Sequence, residues 1–209
     1  MATITLNKKD VLKLIGKNIS DKDIEKAAMM GAPVEEVNKN EIIVEVFPNR
    51  PDLLSEEGFA RALSAFLGIK KGLKEYKVNK SSYKFKIDPK VKNVRPCVAQ
   101  AVVKDIKLDI DSINSLMKLQ EKLHITHGRN RKKVSMGLYD LDKIKFPLTY
   151  TTKPVDFKFQ PLDGEEMSLH DVLERHPKGI EFGHLLNGFK EYPVWLDKDN
   201  KVLSMPPII

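Results

Sequence analysis

Residues 70–82 (KKGLKEYKVNKSS) offer almost nothing that a folded core could use. Leu73, Tyr76 and Val78 stand isolated among lysines, so ordering this segment would cost more conformational entropy than its burial returns. A stretch that cannot be buried divides the chain. It predicts one module over residues 1–69, a linker over 70–82 and a second module over 83–209. A length of 209 residues suits that division, being enough for one large or two small domains. The same region carries the charge. From Lys70 to Lys92, nine lysines face only Glu75 and Asp88, an excess of seven that equals the chain's whole net charge of +7. A basic connector can meet a polyanion. Lysine is mostly exposed in any protein, however, and the reading favoured from sequence is a solvated connector.

Outside the linker, apolar residues are frequent enough for packed cores. No apolar run approaches the roughly 20 residues of a spanning helix. The opening MATITLNKKD lacks the apolar region of a signal peptide. Cys97 is the single cysteine and cannot form an internal disulfide, so a reducing, cytoplasmic setting is expected.

The first module reads as three helices and a β segment. Asn7 can cap a short helix that buries Val11, Leu12, Leu14 and Ile15 and stops at Gly16. Ser20 with Asp23 opens a second, with Ile24, Ala27 and Ala28 inward and Gly31 at its end. Residues 41–47 (EIIVEVF) form a strand. The turn Pro48-Asn49-Arg50-Pro51-Asp52 feeds a helix over 52–67, with Phe59, Ala62, Leu63, Phe66 and Leu67 as its stripe.

The second module is richer in strands. Tyr83, Phe85 and Ile87 alternate with lysines, and residues 97–106 are a further β-rich run. Asp111 can cap a helix carrying Ile113, Leu116, Met117, Gln120 and Leu123. That helix runs into a basic turn, an alternating strand, a bend at Tyr139-Asp140-Leu141-Asp142 and a second strand ending near Thr152. Ser168 with Asp171 starts a short helix that His176-Pro177-Lys178-Gly179 breaks. Residues 192–196 and 202–205 flank Asp197-Lys198-Asp199-Asn200 as a hairpin. The chain stops at Pro206-Pro207-Ile208-Ile209, an apolar ending that reads as an interruption inside a domain.

Chemistry is sparsely signalled. His124 and His127 lie three apart, but no cysteine or carboxylate follows at zinc-ligand spacing, so a helix-end role is favoured over a metal. No phosphate-binding glycine loop and no Gly-x-Ser-x-Gly elbow is present. Asp140 and Asp142 read as turn residues. Arg129, Arg131, Lys132 and Lys133 form the densest basic group outside the linker. They can contact RNA phosphates, form internal ion pairs or sit in a solvated loop. No aromatic residue interrupts the group to stack on bases.

Four stretches, taken in order, resemble the archaeal/eukaryotic beta subunit of phenylalanine–tRNA ligase. The first is Pro48-Asn49-Arg50-Pro51-Asp52-Leu53-Leu54 with Glu57-Gly58 and Arg61. The second is Leu119-Gln120-Glu121-Lys122-Leu123-His124 followed by Arg129 and Arg131. Tyr139-Asp140-Leu141-Asp142 with Tyr150-Thr151 is the third, and the run from Tyr192-Pro193-Val194 to Val202-Leu203-Ser204-Met205-Pro206-Pro207-Ile208-Ile209 is the fourth.

The resemblance implies an α+β fold: a small N-terminal module followed by a larger, mixed-sheet editing module of the B3/B4 kind, cut short at its C-terminal side. It implies an alpha-subunit partner in an (αβ)₂ tetramer, tRNA(Phe), and ATP with Mg²⁺ used by the assembled enzyme and not bound by this part. It implies hydrolysis of Tyr-tRNA(Phe), with Leu203 and its neighbour Ser204 as editing-pocket candidates and no catalytic residue among those present. The family's polar pocket residues and magnesium-binding acidic cluster lie further downstream. Three readings stay open: a beta-subunit segment inactive by itself, a free-standing trans-editing hydrolase, and a non-catalytic tRNA-binding or assembly module.

Overall fold

The computed structural model describes residues 2–162 and 164–209. Contacts group the chain into two units, one running to Lys77 and joined by Lys107–Arg129, the other formed by Val78–Ile106 and Asn130–Ile209. The chain thus passes between units three times, where composition alone suggests a single passage through residues 70–82. Those linker residues carry no helix or strand.

The first unit opens with a strand that the sequence reading missed, β1 (Ala2–Asn7), in which Ile4 and Leu6 alternate inward. Asn7 ends it and caps α1 (Lys8–Ile15), its side chain accepting the Asp10 N–H at 3.2 Å. Gly16 closes that helix at a φ of 74°, a conformation glycine adopts without a Cβ penalty. Val11 and Ile15 are buried, and Leu14 faces out.

A reciprocal Ser20–Asp23 capping box starts α2 (Asp21–Glu25). The next turn, Lys26–Met30, then tightens into a 3₁₀ helix. Three residues per turn put Ile24, Ala27 and Met30 on one buried line and push Ala28 outside, which the α-helical spacing did not foresee. β2 (Val34–Val37) and β3 (Glu41–Val46) complete an antiparallel sheet of order β1-β3-β2, with Ile42, Val44 and Val46 turned into the core.

The Pro48–Asp52 turn is tied from within. The Arg50 guanidinium donates to both carboxylate oxygens of Asp52, at 2.9 and 2.8 Å, and also to the Met30 carbonyl. That pairing holds the Asp52 carboxyl below the usual carboxylate range. Pro51–Leu53 is one 3₁₀ turn, and α3 (Glu56–Phe66) begins only after it, capped by Ser55. Its buried face is Phe59, Ala60 and Leu63, while Phe66 is largely exposed. α4 (Ile110–Ile125) is capped by Asp109, two residues before the predicted cap. Leu119 and Leu123 pack on the first unit's core, whereas Ile113 and Met117 face solvent. Ser115 donates to Glu57 at 3.2 Å, and the Lys122 ammonium donates to the Thr3 carbonyl at 3.3 Å.

The second unit is built on a four-stranded sheet. β4 (Phe85–Ile87) runs parallel to β5 (Leu148–Pro154). A two-stranded pair, β6 (Lys158–Phe159) with β7 (Met167–Ser168), leads into α5 (Leu169–Arg175) and α6 (Pro177–Phe182). β8 (Glu191–Leu196) and β9 (Val202–Ser204) complete the order β4-β5-β8-β9. β8 is buried on both faces. Tyr192, Val194 and Leu196 join Leu169, Val172 and Phe182 in one cluster, while Trp195 joins Val91, Leu148 and Tyr150 in another.

Two predicted strands are absent. Residues 97–106 and 134–140 have no regular structure, and Cys97, Val103 and Ile106 are exposed. A β-rich run becomes a strand only where an edge is offered to it. β4 takes the side of β5 opposite β8.

Gly58 sits in the first turn of α3, where a Cβ would fall 1.9 Å from the Asp52 carbonyl oxygen. Gly58→Ala ordinarily favours a helix by about 1 kcal/mol. Here it will instead destabilise the first unit by roughly 2 kcal/mol or more, as overpacking against backbone does. Chemical denaturation of the two chains measures the sign.

Candidate functional site

The β8–β9 hairpin organises the second unit's candidate site. Its turn is built by Asp197, whose Oδ1 accepts the N–H groups of Asp199 (2.8 Å) and Lys201 (2.9 Å). Asn200 takes the left-handed conformation that closes the turn, at a φ of 63°. Lys145 reaches across to Asp199 at 2.5 Å. These contacts fix the register in which Ser204 lies opposite Trp195.

Leu203 is half-buried and packs with Val91, Leu148, Tyr150 and Trp195. Ser204 is also half-buried, and its Oγ accepts the Tyr139 hydroxyl at 2.6 Å. Tyr139 was read from sequence only as part of a turn motif. Its link to Ser204, 65 residues away, has no local sequence signal. Below Leu203, the rings of Tyr150 and Trp195 stack at 4.8 Å and 21°. The Tyr150 hydroxyl donates to the Arg95 carbonyl at 3.1 Å. Burial pushes its phenol up to about 12. Removal from water also lowers the pKa of the half-buried Arg95 guanidinium below its ordinary value.

The four basic residues singled out from sequence are not equivalent. Arg129, Lys132 and Lys133 are exposed. Arg131 is buried, 6% exposed, which removes it from the set available to a nucleic acid. Its guanidinium lies 4.2 Å from the centre of the Phe182 ring and donates to the carbonyls of Ile208 (2.7 Å) and Pro207 (3.4 Å). Arg95 in turn donates to the carbonyls of Arg131 (3.0 Å) and Lys132 (3.4 Å). The backbone here is unusual. Arg129, Asn130 and Arg131 all have positive φ, at 51°, 53° and 64°. Three such residues in a row, none of them glycine, cost about 1–2 kcal/mol each.

These groups can bind and position, but they do not form a nucleophile–base pair. The hydroxyl that Ser204 meets is a phenol, protonated at neutral pH and unable to take a proton from it. Among the described residues, no three His, Cys, Asp or Glu side chains converge as a metal cage. His124, buried on α4, lies 3.6 Å from Glu121. No helix among the described residues is long and apolar enough to cross a membrane. Among the described residues of the second unit, an open cleft of about 240 Å³ lies between Phe157–Gln160 and Asn200–Val202, and another of about 390 Å³ lies beside β4. Leu203 and Ser204 line neither.

Known proteins resemble this chain along its full length. The phenylalanine–tRNA ligase beta subunit of Methanosarcina barkeri is 48% identical over 212 residues, and that of Methanococcoides burtonii 46% over 210. Each alignment takes in 100% of this chain, but only 38% and 39% of the relative. A crystal structure of an N-terminal fragment of the phenylalanyl-tRNA synthetase beta subunit from Pyrococcus horikoshii superposes with a TM-score of 0.91 at 40% identity. It matches 100% of this chain and 62% of that one. No protein-family model matches the chain. The resemblance carried by the four sequence stretches therefore holds along the whole chain and in its fold.

Removing the Arg131 side chain will strand the Ile208 and Pro207 carbonyls. Arg131→Ala should destabilise the second unit by about 3 kcal/mol, from lost charged hydrogen bonds and unsatisfied acceptors. Lys133→Ala should stay within about 0.5 kcal/mol of the parent, as exposed substitutions do. Denaturant midpoints compare the two. Tyr150 supplies a pH test. Its folded pKa of about 12 lies above the ordinary 10, so its stabilising contribution is complete below pH 10 and is lost as pH rises through 12. Ultraviolet difference titration should show one phenol ionising near 12 that Tyr150→Phe removes.

Proposed function

We infer that this chain, related over its full length to the N-terminal region of phenylalanine–tRNA ligase beta subunits, serves as that region of such a subunit. The observation that carries the reading is the end-to-end match in both sequence and fold, at 48% identity and a TM-score of 0.91 with different relatives. The chain joins an alpha subunit in an (αβ)₂ tetramer in the cytoplasm, and the assembly attaches phenylalanine to tRNA(Phe). ATP and Mg²⁺ act at sites supplied by the rest of that assembly.

The second unit contributes to an editing module of the B3/B4 kind, which hydrolyses tyrosine wrongly attached to tRNA(Phe). The chemical need is clear. A pocket shaped for phenylalanine rejects tyrosine weakly, because the error only adds a hydroxyl. A separate site that hydrogen-bonds that hydroxyl can select the error. Leu203 forms part of the apolar wall of that pocket, beside the stacked Tyr150 and Trp195. Ser204, held by Tyr139, sits at its rim. The polar groups and the water-activating group come from elsewhere in the subunit. Arg129, Lys132 and Lys133 are exposed, as phosphate contacts must be.

The test is deacylation of Tyr-tRNA(Phe). These 209 residues alone should leave the ester at its background rate, while a subunit extended to the length of its relatives and assembled with the alpha subunit should cleave it. In that assembly Leu203→Ala should reduce deacylation about tenfold and leave phenylalanine attachment unchanged. Rapid cleavage by the 209 residues alone would instead show a free-standing hydrolase. Salt-sensitive tRNA binding by an extended subunit that does not cleave would show a binding module.

A further inference from the structure

Tyr139-Asp140-Leu141-Asp142 is more than a bend in the chain. The Asp140 side chain caps the 3₁₀ turn Leu141–Lys143, accepting the Asp142 N–H at 3.1 Å, and its other oxygen lies 3.3 Å from the Lys143 ammonium. Just beyond, the Lys145 carbonyl accepts the Lys198 N–H at 2.9 Å, while the Lys145 ammonium meets Asp199. Residues 140–145 are thereby tied to the β8–β9 turn. Tyr139 immediately precedes this tied segment, and its hydroxyl reaches Ser204 on β9.

β9 needs such a support. It is an edge of the four-stranded sheet, paired with β8 alone. Ser204 stands opposite Trp195, but the next residue of β8, Leu196, pairs with Val202. β9 therefore carries one residue more than β8 at this point, and Leu203 has no cross-strand partner. A bulge of this kind re-aims its side chains and takes them out of the ladder that would hold them. Their direction then rests on side-chain contacts. Leu203 has the apolar cluster of Tyr150 and Trp195. Ser204 has the Tyr139 hydroxyl at 2.6 Å.

Gly137 shapes that last contact. A Cβ there would fall 2.7 Å from the Tyr139 hydroxyl oxygen and 2.9 Å from its ring. The hydroxyl end of the phenol thus lies close against the Gly137 backbone, and a larger residue would push the ring aside. Burial raises the phenol above its ordinary pKa although the ring as a whole is 44% exposed. The tip is enclosed between Gly137 and β9, and the flank faces water.

The structure assigns Tyr139 the part of a specificity-positioning residue: by holding Ser204 it fixes the aim of the Leu203 bulge, and so sets how sharply the pocket separates a tyrosine ester from a phenylalanine ester. This rests on the editing reading above. A site that tells two esters apart by one oxygen tolerates little play in its wall. Tyr139 acts through Ser204 and is not itself a catalytic residue.

The experiment is steady-state deacylation of Tyr-tRNA(Phe) and of Phe-tRNA(Phe) by the full-length subunit assembled with its alpha subunit, with kcat and KM measured for both esters. The parent should strongly prefer the tyrosine ester. Tyr139→Phe keeps the ring and loses the hydroxyl. It should narrow the ratio of the two kcat/KM values about tenfold, chiefly by admitting the phenylalanine ester. Ser204→Ala should narrow the ratio equally. The double variant should do no more than either single one, because residues that act through one contact do not add. Gly137→Ala removes no polar group but displaces the phenol, and should move the ratio in the same direction. A loss of stability alone would lower the active fraction for both esters and leave the ratio as it was. A parental ratio in Tyr139→Phe, or effects of Tyr139→Phe and Ser204→Ala that add, overturns the positioning role while the editing reading stands. A parent assembly that cleaves neither ester overturns the editing reading itself and the role with it, so the two failures are told apart.

Discussion

Arg131 carries a guanidinium into the interior of the second unit, and its surroundings fix the chain on either side of it. Taking such a group out of water costs several kcal/mol, which only well-aimed hydrogen bonds and a polarisable surface offset. Here the carbonyls of Pro207 and Ile208 accept from it and the Phe182 ring lies against it. The backbone that delivers Arg131 is itself strained, with three consecutive residues in the left-handed region. Such a corner persists only where its neighbours over-determine it. Arg95 holds the carbonyls on its far side, Tyr150 holds the carbonyl of Arg95, and Tyr150 stacks on Trp195 in the central strand. The corner, the sheet and the last turn of the chain are thus one connected arrangement. A change at Arg131 is felt at Met205–Ile209 before it is felt at the surface.

The elements that depend on local chemistry were legible. Asn7 and Gly16, the Ser20–Asp23 and Ser168–Asp171 boxes, and the Asp197–Asn200 turn all act where the sequence places them. The elements that depend on a distant partner were not. β1 reads as a short polar alternation and becomes a strand because β3 lies beside it. Residues 97–106 have the stronger β composition and remain irregular. The inward face of α4 was legible in part. Of its expected stripe, Leu123 packs on the first core and Leu116 and Gln120 are half-buried, whereas Ile113 and Met117 face solvent and Leu119, outside the stripe, packs inward. Ile24, Ala27 and Met30 show a subtler limit. Spacing by three and spacing by four diverge within one turn, and only the backbone decides between α and 3₁₀.

The candidate site divides along the same line. Leu203 and Ser204 came from family resemblance and not from any pattern that physics would single out. The structure gives them local partners, a stacked aromatic pair and a phenol, that the sequence could not supply because Tyr139 and Tyr150 lie more than fifty residues away. The basic group from Arg129 to Lys133 was visible as composition, but composition treats its four cations alike. Burial separates them.

That separation follows from the chemistry of the two cations. The planar arginine fork is weakly hydrated and can satisfy several carbonyls at once, so it is the cation a fold can afford to bury. Arg50, Arg95 and Arg131 are each used in this way, binding the Met30, Arg131 and Ile208 carbonyls respectively. Lysine more often keeps its water and stays at the surface with its stem laid along it, even where, as at Lys122 and Lys145, the ammonium meets a carbonyl or a carboxylate. The net charge of +7 is therefore a poor guide to where this protein meets a polyanion. Arg131, which the sequence presents as part of a basic surface group, holds the fold together, while its neighbours Arg129, Lys132 and Lys133 stay exposed.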